Sequence, residues 1–197
     1  MQHFYFPYDD LKIPDNGIYI LFERGETGHG TDRIVRIGTH TGENQLRPRL
    51  TQHFLHKNKD RSIFRKNIGR AFLNLDKDPF LSQWNLDLTT RKAKDKYSST
   101  IDFAKQAEVE HRVSKHIQEN LFFVVFEVNE KAQRLALEEK IIGTVSHCAD
   151  CGPSEQWLGL HSPLQKIRDC GLWLVNGLNG DSLSYPDLEY LSSFVVT

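Results

Sequence analysis

Glu138 is the position in this chain that most needs a chemical explanation. On a helical wheel Leu135, Ile141, Ile142 and Val145 define one apolar arc, and Glu138 falls inside it. A carboxylate within a buried stripe is costly unless a partner or an ion offsets its charge. It therefore has either an ion-pair partner, such as Arg134 four residues back or a residue on another element, or a cation to hold. Mg²⁺ suits the second reading, because it takes oxygen ligands, often only one or two carboxylates, and keeps several waters. Arg49 and His53 form a second constellation. They are one helical turn apart, so both can face one cleft, and a guanidinium is always charged and able to grip a phosphodiester with two parallel bonds. Arg47 competes for that role across Pro48. His53 has two readings, a hydrogen-bonded histidine at the edge of the core or a catalytic or phosphate-contacting group.

A third candidate, Tyr19, lies in Asn16-Gly17-Ile18-Tyr19-Ile20-Leu21-Phe22, which reads as a strand. Ile18, Ile20 and Phe22 share one face, while Tyr19, Leu21 and Glu23 share the other, less apolar one. Cys148-Ala149-Asp150-Cys151 has the spacing of one zinc knuckle, with His147 beside it and His161 and Cys170 downstream. The second half of such a site is incomplete, so free, partly buried thiols are expected and a structural Zn²⁺ is the lesser reading.

The elements that must position these residues follow from spacing and punctuation. Residues 1–15 read as an irregular entry segment docked by Phe4, Tyr5 and Phe6. The strand at 16–22 is answered by Arg33-Ile34-Val35-Arg36-Ile37-Gly38 across a loose glycine-bearing loop, 24–32. A helix is expected over 45–56, with Leu46, Leu50, His53 and Phe54 on one stripe, and another from the N-cap Ser62 to Phe72, its outer face carrying Arg65, Lys66 and Arg70. Residues 76–100 read as an inserted, mostly irregular lobe. A helix over 101–120 turns Ile101, Ala104, Val109, Val113 and Ile117 inward. The continuous apolar run 121–128 is a strand buried on both faces, and a helix covers 130–146. Residues 147–197 form a C-terminal elaboration of small elements, with a short helix near 162–168 and another from Pro186. The order gives an α+β domain over 1–197, a three-stranded antiparallel sheet flanked by helices.

Length allows one domain with an elaboration. The net charge of −1 argues at first against a nucleic-acid partner, but its distribution matters more than its sum. Between Arg47 and Arg70 the chain carries Arg47, Arg49, Lys57, Lys59, Arg61, Arg65, Lys66 and Arg70 against Asp60 alone, either a solvated helical face or a phosphate track. No apolar run is long enough to span a bilayer and the start lacks the pattern of a secretion signal, so a soluble cytoplasmic protein with no membrane partner is expected. Three cysteines are too few for a disulfide framework, which agrees with that compartment.

Gly17-Ile18-Tyr19 followed by Arg36-Ile37-Gly38 resembles the paired tripeptides of the GIY-YIG endonucleases, with arginine in place of the second tyrosine. The order of Arg49-Leu50-x-x-His53, Leu137-Glu138-x-x-Ile141-Ile142 and a late asparagine strengthens the resemblance. The matching elements are spread from 17 to 176, so insertions must account for the excess over the family's compact domain. The resemblance implies that Glu138 binds one Mg²⁺ or Mn²⁺, that Arg49 holds the scissile phosphate, and that Tyr19 takes a proton from the attacking water. The late asparagine would orient the site; Asn176, after the Gly171-Leu172-Trp173 run, is favoured over Asn179, which lies in a turn-like Gly-Leu-Asn-Gly. Arg36 would contact phosphate or support the site. Arg47, Lys57, Arg61, Arg65, Lys66 and Arg70 would track the DNA backbone. One such site cuts one strand, so a double-strand break would need a homodimer or a second visit. The rival readings are a catalytically inactive nucleic-acid-binding module of the same fold, for which Arg36 is the best argument, and a protein-interaction domain that docks an acidic partner.

Overall fold

The computed structural model describes residues 1–194; the last three residues of the expected C-terminal elaboration lie outside that range. The sheet is antiparallel throughout, with strands β1 (Phe4–Tyr5), β2 (Gly17–Gly28), β3 (Thr31–Gly38) and β4 (Leu121–Glu127) in the order β1-β4-β2-β3. It has four strands where three were expected. The extra edge is two residues of the entry segment, Phe4 and Tyr5, which pair with Phe123 and Phe122, the Phe4 and Phe123 rings lying parallel with centroids 5.2 Å apart. Two residues are too few to show any alternation in sequence.

β2 and β3 also run further than expected. In place of a loose loop over 24–32, the strands continue to Gly28 and Thr31 and close through His29-Gly30, both in the left-handed region. Register shifts around Phe22, with Gly25 at φ +86°, absorb the irregular residues between. Glycine supplies that backbone without a Cβ penalty.

Helices cover both faces. α1 (Leu46–Phe54), α2 (Ile63–Leu75), α3 (Leu81–Asn85) and α5 (Phe103–Asn120) pack on the face of Tyr19, Leu21, Val35 and Phe123. The opposite face, with Ile18, Ile37 and Phe126, is covered by α6 (Lys131–Ser146) through Leu137, Ile141 and Ile142. The face bearing Tyr19 is thus the larger core, contrary to the expectation of a less apolar side. α4 (Arg91–Tyr97), α7 (Gln165–Cys170) and α8 (Tyr185–Ser192) are short peripheral helices. No helix among the described residues is long and apolar enough to cross a membrane.

Two more expectations change. Residues 76–100 are largely helical and fold back on α2. Trp84 of α3 is fully buried, its indole N–H donates to the Lys66 carbonyl at 2.9 Å, and its ring lies where a side chain on Gly69 would stand. The covering by Trp84 and α5 puts much of the expected outer face of α2 inside: Arg65 and Lys66 are buried, whereas Ile63 is exposed. On α5, Val109, Val113 and Ile117 face inward as expected, but Ala104 is exposed.

Candidate active site

The site gathers where β3 ends. Tyr19 and Gly38 are cross-strand partners, and the tyrosine ring lies directly over Gly38; any Cβ there would collide with the Tyr19 hydroxyl. Gly17 is required for a similar reason, since its Cβ would enter the Phe126 carbonyl. The glycines of both tripeptides therefore make room, one for the neighbouring strand and one for the phenol.

Tyr19 is fully buried, and its hydroxyl lies 2.8 Å from Nε2 of His53 on α1. The other ring nitrogen of His53 lies 2.7 Å from Oγ of Ser62, which also accepts the Arg65 N–H as the α2 cap. The Ser62 hydroxyl can rotate to donate or accept, so Tyr19, His53 and Ser62 form a chain along which a proton can shift. Burial, and then the charges of Arg36, Arg49 and Arg65, hold the His53 imidazole well below its ordinary value, so it is neutral.

Arg36 lies beside this chain. Its Nε donates to the Tyr19 hydroxyl at 3.4 Å, Nη1 donates to the Trp173 carbonyl, and the guanidinium lies 5.1 Å from the Phe64 ring centroid. It also lines a hollow of about 450 Å³ together with Glu138, Asn67 and Asn176. Tyr19 does not line that hollow; Arg36 stands between.

Glu138 projects from α6 to the end of β3, where its Oε1 accepts the Thr39 N–H at 3.0 Å. Arg134, the partner considered from sequence, is committed elsewhere, to the carbonyls of Val128, Asn129 and His40. No ion pair to Glu138 occurs among the described residues. Burial raises its carboxyl pKa, against the opposing charges of Arg36, Arg49 and Arg134 and the Thr39 N–H bond. A half-buried carboxylate with one backbone donor and no paired cation fits a divalent ion, since Mg²⁺ is satisfied by one or two carboxylates, water and substrate phosphate.

Arg49 lines a second hollow beside Thr39 and His40. It donates to Gln52 at 3.1 Å and to the Arg61 carbonyl at 3.2 Å, which brings the exposed Arg61 alongside. Arg49 has no carboxylate within ion-pair distance among the described residues. A guanidinium without an anion suits a phosphate.

The remaining expected positions divide clearly. Asn176 shares the Glu138 hollow, whereas Asn179 lines only a neighbouring one beside His147 and Lys166. Lys57 is exposed, and Arg70 is held by Asn85 at 2.7 Å and Asn67 at 2.8 Å. Arg47 fastens the entry segment, donating to the Ile13 carbonyl at 2.6 Å and lying 3.4 Å from Asp15. Lys59 and Lys66 are buried around Asp60. Arg65 is sealed inside, donating to the Glu110 carboxylate, the His53 carbonyl and Ser114 Oγ. The expected backbone track thus loses Arg65 and Lys66 to the interior, where Arg65 pairs with Glu110 of α5 and Lys66 with Asp60 in the turn before α2.

Sequence reasoning missed Thr39 and His40. His40 is nearly buried, its Nε2 accepting the Gly17 N–H at 3.3 Å while Nδ1–H donates to the Gly42 carbonyl at 2.7 Å, and burial lowers its pKa. The signal was their place immediately after the glycine that ends β3.

A family model described as GIY-YIG domain matches residues 6–195. Neither a curated protein nor a solved structure matches the chain. The chain belongs to the GIY-YIG family, a family of nucleases that act on nucleic acid and generally use divalent metal ions.

Proposed function

We propose that the protein is a metal-dependent endonuclease that hydrolyses DNA phosphodiester bonds. The observation that carries this reading is that Arg36, whose N–H donates to the Tyr19 hydroxyl, lines one hollow with Glu138 and Asn176, while Glu138 accepts the Thr39 N–H next to the glycine over which Tyr19 lies. Glu138 would hold one Mg²⁺ or Mn²⁺, with Asn176 orienting the shared hollow. Bound there, the ion supplies Lewis-acid polarisation of the phosphate and helps to stabilise the leaving oxygen.

Arg49 binds the scissile phosphate and offsets the charge that grows on it in the transition state, and the exposed Arg61 extends the contact along the backbone. Tyr19 is the proton acceptor for the attacking water. A free phenol, with a pKa of about 10, is a poor base at neutral pH. To accept that proton Tyr19 must first be the phenolate, which the Arg36 N–H on its oxygen would stabilise. Arg36 must swing toward the phosphate to open Tyr19 to water. Lys57 and Arg70 extend the phosphate contacts, which position DNA without reading its sequence. A double-strand break requires a second copy or a second encounter.

The seal of Arg36 over Tyr19 favours one alternative, a DNA-binding module that has lost the reaction. Nicking of supercoiled plasmid with Mg²⁺ or Mn²⁺ separates the two. Cleavage that Glu138→Ala and Tyr19→Phe both abolish, with DNA binding retained, establishes the nuclease. A protein that shifts DNA on a gel but nicks nothing with either ion is the binding module.

A further inference from the structure

We propose that His29, Cys148 and Cys151 bind a zinc ion that fastens the tip of the β2–β3 hairpin to the loop after α6. Nε2 of His29 lies 3.2 Å from Sγ of Cys148, and the ligand atoms of all three residues lie within 4.8 Å of one another. Around a tetrahedral Zn²⁺, with Zn–S of about 2.3 Å and Zn–N of about 2.0 Å, such atoms stand roughly 3.5–3.8 Å apart, so small side-chain adjustments would close the site. Two thiolates and an imidazole are the donor set that selects zinc over the oxygen-seeking ion proposed for Glu138.

The backbone is already shaped for the contact. His29 adopts φ +53° at the hairpin turn, which swings its ring off the strand toward Cys148. Gly28, just before it, faces the cysteine loop, where a Cβ would stand 3.6 Å from Cys151 Sγ. Behind the tip, Arg33 ties Glu26 to the Gly171 carbonyl, and Ser154 N–H donates to Glu26 at 3.0 Å. The hairpin and the segment after α6 are thus clamped together before any ion is added. Among the described residues no fourth ligand joins the group, which leaves the fourth position to water. Cys170 is outside the cluster, its thiol turned to the Ile167 and Leu172 carbonyls. The CxxC spacing supplies half a site, and a histidine 119 positions earlier supplies the third ligand.

The test is metal content by plasma mass spectrometry on protein expressed with zinc present, with Co²⁺ substitution read by its thiolate charge-transfer absorption. About one zinc per chain is expected in the parent, in Cys170→Ser and in Glu138→Gln, and less than about a tenth of that in His29→Ala, Cys148→Ser and Cys151→Ser. In case these variants fold poorly, Cys170→Ser protein can be titrated with a mercurial, which should release zinc in step with its two remaining thiols. The proposal is overturned by a metal-free parent that gives no cobalt thiolate band. It is equally overturned by zinc that persists in the Cys148→Ser/Cys151→Ser double variant, or by a Cys148–Cys151 disulfide in protein from a reducing cytoplasm.

Discussion

The phenol of Tyr19 and the imidazole of His53 are joined by a 2.8 Å hydrogen bond, and neither side chain is exposed to solvent. The phenol is the only polar partner of His53 Nε2 among the described residues, so removing it leaves that nitrogen unsatisfied. Tyr19→Phe should therefore cost about 1–3 kcal/mol of stability, from the orphaned Nε2 of His53. If Tyr19 accepts the proton of the attacking water, plasmid nicking should also fall by about 10²–10⁴-fold, more than misfolding at assay temperature explains. Melting curves and nicking rates on the same preparations check both.

His53 also sets an acid limit. Its folded pKa is depressed by burial and by Arg36, Arg49 and Arg65, so below the ordinary histidine value of 6.5 the unfolded chain takes up a proton that the folded chain resists. The unfolded state then binds more protons, and stability falls as pH drops through that value; above it His53 contributes no pH dependence. The loss of melting temperature between about pH 7.5 and about pH 5.5 should be smaller in His53→Gln than in the parent. An equal loss in both would remove His53 as its source.

Gly38→Ala tests the crossing of strand and phenol. A Cβ at that position collides with the Tyr19 hydroxyl, so the ring must move off His53. Overpacking of this kind costs about 1–3 kcal/mol. Displacement of the hydroxyl by even an ångström should lower the nicking rate on the order of 100-fold. DNA affinity, which depends on surface cations, should stay near the parent's in a gel-shift titration.

Much of this was legible in sequence because it rests on local period. The Tyr19 hairpin and the Ser62 cap depend on residues a few positions apart, and each appears in the structure, whereas the buried side of α6 runs through Leu137, Ile141 and Ile142 and leaves Leu135, Glu138 and Val145 half-buried. What was not legible depends on partners far along the chain. Arg65 and Lys66 read as surface cations because lysine and arginine are rarely buried without partners, and the partner of Arg65 is Glu110, 45 positions away. Tyr5 and Phe4 could not announce a strand that exists only by leaning on β4. His29 carries no pattern linking it to Cys148. Trp84 looked like part of an appended lobe because its site is built by Gly69 and the Lys66 carbonyl on another helix.

The buried and exposed arginines should behave oppositely. Arg65→Ala leaves the Glu110 carboxylate unpaired in the interior and should destabilise the fold by about 3–5 kcal/mol. Arg61→Ala should leave melting nearly unchanged, weaken binding to DNA of any sequence, and reduce the slope of log affinity against log salt by about 1. A normal melt with a reduced salt slope for Arg65→Ala would return it to the DNA track.

Glu138→Gln separates the carboxylate's charge from its shape. The amide oxygen can still accept the Thr39 N–H, so the end of β3 stays tied to α6. Burial raises the carboxyl pKa, which means that the ionised form is costly without a cation, so the neutral side chain should melt at or slightly above the parent in metal-free buffer at pH 7. If Glu138 is the ligand, adding Mg²⁺ or Mn²⁺ should raise the parent's melting temperature and leave that of Glu138→Gln unmoved, because only a folded state that binds the ion gains from it. Nicking by the variant should fall by about 10²-fold or more, as expected when a ligand that positions charge in the transition state is lost. A variant that nicks at the parent's rate with the same metal dependence would place the ion on other residues, and Glu138 would then be a carboxylate kept only to bind the Thr39 N–H.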